Sequence, residues 1–104
     1  MIGLGKWGYN VNTVFLQGDV ILTISDENGE YKIDVEIDAG FDMPDFRFYD
    51  FAEDGNTLTA KGEVSLLPGK LLELFLAFEG DVITGFLKIP YVGKIKINDG
   101  KRIC

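Results

Sequence analysis

Carboxylates are the side chains of this sequence best equipped for chemistry. Asp38, Asp42, Asp45, Asp50, Glu53 and Asp54 crowd the stretch from 38 to 54, with Arg47 as its single basic residue. Phe41, Met43, Phe46 and Phe48 are interleaved with them. Three uses of such a stretch are open. It can pack its aromatics on a core and leave its acids in water. It can form an aromatic lid with an acidic rim over a binding site, since loops at such mouths commonly carry contact residues. It can also offer oxygens to a hard cation, although no Asp-x-Asp-x-Asp-Gly loop is present. Catalytic chemistry finds less. The chain has no histidine, the commonest acid–base group and zinc ligand. Ser25 and Ser65 are its only serines, and neither lies in Gly-x-Ser-x-Gly. No Gly-x-x-x-x-Gly-Lys phosphate loop occurs. Acids such as Asp34, Glu36 and Glu63 could meet across strands, but on outward positions they are solvated. The expectation is a protein that is not an enzyme, with no catalytic residue, no metal ligand and no cofactor.

Composition narrows the partners. At 104 residues the chain reads as one domain, 1–104, and 46% hydrophobic residues suffice for a core. A formal charge of −7 argues against nucleic acid and against an anionic membrane, since both demand a basic face. Lys88, Lys94, Lys96, Lys101 and Arg102 nevertheless make the end of the chain basic. That contrast could join one copy of the protein to another, or the lysines could guard strands against edge pairing. The lone cysteine is Cys104, which fits a reducing compartment. With no secretory leader and no apolar run near the ~20 residues that span a bilayer, the expected location is cytoplasmic.

The elements that must position these residues are strands. Glycines at 18, 29, 40, 55, 69, 80, 93 and 100 punctuate the chain at a spacing that suits short strands joined by turns. No apolar run keeps a helical period for three turns. A first strand from Lys6 to Phe15 places Trp7, Tyr9 and Val11 on one face. A second runs from Asp19 to Ser25, and Asn28-Gly29 follows as a type I′ hairpin turn. Tyr31, Ile33, Val35 and Ile37 then alternate with Lys32, Asp34 and Glu36, which means one dry face and one wet one. Between 45 and 51, aromatics fall on both faces. From 58 to 89 the inner face reads Leu58, Ala60, Gly62 and Val64; Leu72, Leu74, Leu76 and Phe78; then Ile83, Gly85, Leu87 and Ile89. A last full strand covers Tyr91 to Ile97, Asn98-Asp99-Gly100 turns again, and a short tail follows. The fold class is therefore all-β, an antiparallel up-and-down meander of about eight strands closed as a small barrel, because closure removes exposed edges. A β-sandwich is the alternative.

Gly5-Lys6-Trp7 at the head of the first strand resembles the calycin superfamily of lipocalins, fatty-acid-binding proteins and avidins. The Gly-Asn-Thr-Leu-Thr phrase at 55–59 is similar to one in short bacterial barrel proteins. The calycin resemblance implies that Trp7 closes one end of the barrel and that an arginine near the last strand, here Arg102, packs across it. A guanidinium lying on an indole is attracted by the ring and can donate to nearby carbonyls. Taken without the resemblance, Trp7 is a core aromatic and Arg102 part of a solvated tail. The resemblance also implies a binding module for a small apolar or amphipathic molecule. Tyr9, Val35 and Leu74 (with Phe86, if its face is reversed) would line the interior, and Phe41, Met43, Phe46 and Phe48 would gate the far end. The competing expectation is a module with a filled core. It would use the acidic aromatic loop, or an outward strip at Phe75 and Ala77, to hold a protein partner or a second copy.

Overall fold

Alternation settles the architecture strand by strand. In the stretch Thr57–Val64, Leu58, Ala60, Gly62 and Val64 are buried, whereas Thr59, Lys61 and Glu63 are exposed. Such a strand must lay one face on a core and the other in water. The computed structural model describes residues 2–12, 17–38, 46–65, 69–91 and 93–103. Among them are eight strands: β1 (Gly5–Asn12), β2 (Gln17–Glu27), β3 (Glu30–Asp38), β4 (Phe46–Asp54), β5 (Thr57–Val64), β6 (Leu72–Glu79), β7 (Val82–Ile89) and β8 (Gly93–Arg102).

All eight belong to one antiparallel sheet, in the order β3-β2-β1-β8-β7-β6-β5-β4. The sheet curls into a nearly closed barrel, and the first strand meets the last. The expected meander is present, in place of a sandwich. Closure differs from the expectation in two respects. Among the described residues the pairing of β1 with β8 is short: Trp7 with Arg102 and Gly8 with Lys101, extended by the Ile103 amide donating to the Lys6 carbonyl at 2.7 Å. Strands β3 and β4, consecutive in the chain, approach each other but share no ladder. The barrel therefore keeps two free edges that face one another along a seam.

Two departures from strict alternation redirect the residues beyond them. Asn98-Asp99-Gly100, expected as a turn, lies inside β8. Ile97 pairs with Gly85 and Gly100 with Ile83, so Asn98 and Asp99 together oppose Thr84 alone. Asp99 takes φ 54°. This is a β-bulge, whose extra residue commonly adopts the left-handed conformation. Strand β8 thereby continues to Arg102, which becomes a paired strand residue and no longer a tail. A second bulge interrupts β4 between Tyr49 and Ala52, with Asp50 at φ 53°. It shifts the phase of the strand by one residue. Phe46 and Phe48, opposite the buried Val64 and Gly62, and Phe51 beyond the bulge therefore all turn to the core side, while Tyr49 pairs with the exposed Lys61. The type I′ turn at Asn28-Gly29 forms as expected, with φ of 57° and 87°.

The core is thickest where Trp7 sits. Trp7, Leu58, Leu76 and Ile83 are fully buried and belong to one cluster with Leu22, Ile24, Leu74 and Phe78. No charged or polar side chain is buried among the described residues.

Candidate functional site

Trp7 closes its end of the barrel through a set of contacts on several sides. Its ring centroid lies 5.2 Å from that of Phe78 in a tilted arrangement. Its indole Nε1 donates to the Gly3 carbonyl at 2.8 Å. The Arg102 guanidinium covers its face, with Cζ 4.4 Å from the ring centroid. That same guanidinium donates from Nη1 to the Leu4 carbonyl at 2.6 Å, and Nε lies 3.2 Å from Asp81 Oδ1. The N-terminal residues are thus folded across the end and held there by the last strand. Trp7 and Arg102 stand together as expected, and they form a plug.

Toward the opposite strand ends the inner surface is mixed, with Val11, Val20, Val64 and Leu72 buried. Tyr9, Val35, Phe46, Phe48, Leu87 and Ile95 are only partly buried although they face inward. Leu74 is buried at 5% exposure, opposite Ala60 on one side and Leu87 on the other. Gly62 leaves room for the Phe48 ring, which a Cβ there would meet at 2.8 Å, and Phe48 stacks parallel to Phe46 at 6.1 Å. Burial pushes the Tyr9 hydroxyl up to about 12, because the phenolate would lose its hydration there. Tyr9 and Val35 stand on the strands that flank β2, opposite Val20 and Leu22, and Phe46, Phe48 and Leu74 on the strands that flank β5. Phe41 and Met43 lie outside the described residues, as does Phe15 at the end of the expected first strand. Phe86 does not line the interior. It pairs with Phe75 on the outer face, with ring centroids 5.5 Å apart, and Lys94 Nζ lies 4.6 Å from its centroid. The cause is phase, since Gly85 and Leu87 take the inner positions. This aromatic pair stands over an outer groove of about 580 Å³ that also takes in Thr59, Lys61 and Glu73.

A second opening lies at the seam between β3 and β4, and its wall includes Phe48, Asp50 and Glu53 of the acidic aromatic stretch. An open cleft of about 640 Å³ runs along it, walled by Tyr31, Phe48 and Phe51 and by the carboxylate-bearing Glu30, Asp50 and Glu53. Tyr31 crosses the seam, hydrogen-bonding Glu53 through its hydroxyl and packing its ring 5.4 Å from Phe51. The Ile2 amide donates to the Tyr31 oxygen at 2.7 Å. The Tyr31 hydroxyl is held above its ordinary value by desolvation first and by the Glu53 hydrogen bond second. No order of residues marks such a seam, because consecutive antiparallel strands are ordinarily expected to pair. Among the described residues no group of three or more acids or cysteines is placed to hold a metal ion.

Comparison with family models, with curated proteins and with solved structures finds no match.

Proposed function

We propose that this protein is a calycin-like binding module that takes a small apolar or amphipathic molecule in the half of the barrel opposite Trp7. The reading rests on one contrast. The fully buried Trp7, Leu58, Leu76 and Ile83 lie in the Trp7 half, whereas in the other half inward Tyr9, Phe48 and Leu87 keep part of their surface accessible beside the buried Val11, Val20, Val64 and Leu72. Apolar surface turned inward yet still reachable is what a ligand of that kind would cover. The confinement of β1–β8 pairing to the Trp7 end supports the same half. Trp7 and Arg102 serve as the plug and Phe46 and Phe48 as part of the mouth.

The reading is one of binding without catalysis. The chain has no histidine, and Ser25 Oγ is engaged with the Lys32 carbonyl at 3.4 Å. A cytoplasmic setting, with neither nucleic acid nor membrane as partner, belongs to the same proposal and follows from the acidic charge and the single cysteine.

Native mass spectrometry of protein purified from its source, paired with an amide-shift titration using 1-decanol, tests it. The expected result is a retained adduct and shifts at Tyr9, Val35 and Leu74 that Val35→Phe abolishes without unfolding the chain. No adduct together with no shift at those amides overturns it. A second reading, a protein-interaction module, is favoured by the outer Phe75–Phe86 pair. Shifts confined to that groove on adding a partner would select it.

A further inference from the structure

We propose that the seam cleft between β3 and β4 is a binding site for an organic ammonium group carried on a small apolar or aromatic body. The inference stands apart from the lumen reading, because it rests on a different opening of the barrel.

Size comes first. A cleft of about 640 Å³ lies within the range of small-molecule sites, roughly 300–1,000 Å³. Its walls come next. Tyr31 and Phe51 lie at 37° to one another, so their rings form an angled wall, and Phe48 extends it toward the interior. The faces of such rings carry partial negative charge and attract cations, alkylated ammonium groups above all. One ring of the cleft already shows this preference. Tyr49, which also lines the cleft, has the Arg47 guanidinium over it at 5.7 Å from the centroid.

Three carboxylates share the space with these rings. The Tyr31 hydroxyl holds the Glu53 carboxylate at the seam. The bulge fixes Asp50 at the cleft wall, and Glu30 stands at the start of β3. Among the described residues neither Glu30 nor Asp50 has an ion-pair partner, and no lysine or arginine lines the cleft. An anionic ligand would meet this charge at close range. A neutral apolar one would desolvate it with nothing in return. A bare metal ion is disfavoured because the carboxylates do not converge on one point. A diffuse organic cation satisfies both rings and acids. The edges of β3 and β4 add to this, because they share no ladder across the seam and edge carbonyls can accept from ammonium N–H groups.

The test compares phenethylammonium, 2-phenylethanol and 3-phenylpropionate, which share a phenyl body and differ in charge. Amide shifts of the intact chain are followed at low salt. Phenethylammonium should bind at least about tenfold more tightly than the alcohol, with the carboxylate weakest. Shifts should centre on Tyr31, Phe48, Asp50 and Phe51, and added salt should weaken the binding. The pair Glu30→Gln and Asp50→Asn should reduce the preference for the ammonium over the alcohol severalfold, leaving the smaller part that the rings and Glu53 supply. Asparagine accepts the left-handed backbone at 50, so an unchanged urea midpoint would show that folding is intact. Equal affinity of the ammonium and the alcohol, tighter binding of the carboxylate, or absence of shifts at the seam overturns the proposal. Shifts at Tyr9, Val35 and Leu74 alone would also overturn it while leaving the lumen reading standing. Seam shifts with the ammonium, in protein whose lumen ignores 1-decanol, would do the reverse.

Discussion

Arg102 illustrates how unequal the contacts of one side chain can be. Its guanidinium covers the fully buried Trp7, donates to the Leu4 carbonyl and pairs with Asp81. The Arg102 side chain is one-third exposed, whereas that of Asp81 is 84% exposed. Water therefore screens the ion pair, and exposed pairs contribute little. We expect Asp81→Asn to change stability by less than about 0.5 kcal/mol. Arg102→Met, which loses the charged hydrogen bond and the ring contact, should cost about 1–3 kcal/mol. Urea denaturation followed by circular dichroism would measure both. Tyr9 supports a prediction in pH. Its hydroxyl titrates at about 12 in the folded chain, against 10.0 for a tyrosine free in water. Between those values the folded state holds a proton that the unfolded state has lost. Stability from this group is thus complete below about pH 10 and declines as pH rises toward about 12. Tyr9→Phe should flatten that decline, seen as urea midpoints measured at steps across the window. Tyr31 is shifted in the same direction, so a shallower slope should persist.

At the scale of the strand, Gly85 is required by the close approach of β7 to β6. It lies opposite Leu76 with φ 151°, and a Cβ there would stand 1.9 Å from the Phe75 carbonyl oxygen. Backbone cannot yield as a side-chain tip can, so Gly85→Ala should cost more than about 2 kcal/mol in a urea titration. Period-two alternation made most strands legible from residue order alone, because each has a wet and a dry face. Phase slips are a different matter. Asp99-Gly100 has the chemistry of a turn and of a bulge alike, since both need a residue that tolerates positive φ. Only the partner strand decides between them, and Ile83–Gly85 makes it a bulge. In β4 the slip at Asp50 explains why Phe46, Phe48 and Phe51, which do not fit one alternating face, all reach the core side.

For the whole molecule, the governing fact is that the sheet closes between β1 and β8 and stays parted between β3 and β4. The meeting of Trp7 and Arg102 was anticipated through the calycin resemblance alone, since residue order by itself left Arg102 in a solvated tail beyond an Asn98-Asp99-Gly100 turn. The seam was not, because whether the second edge also closes depends on accumulated curvature that no local pattern encodes. Hydrogen exchange should make the asymmetry visible. Along β3 and β4 every second amide faces the seam and should exchange quickly, whereas β6, paired on both sides, should be protected at consecutive residues. Uniform protection along β3 would mean that the seam is bonded in solution.

Trp7 is the only tryptophan in the chain, and it sits fully buried beneath a cation at the short junction that joins the first strand to the last. Its near-ultraviolet emission therefore belongs to that junction alone. Parting of β1 from β8 would bring the indole into water, move its emission to longer wavelength and admit a dissolved quencher such as iodide. The protein thus carries its own optical gauge of barrel opening, usable on the millisecond scale and without any attached dye.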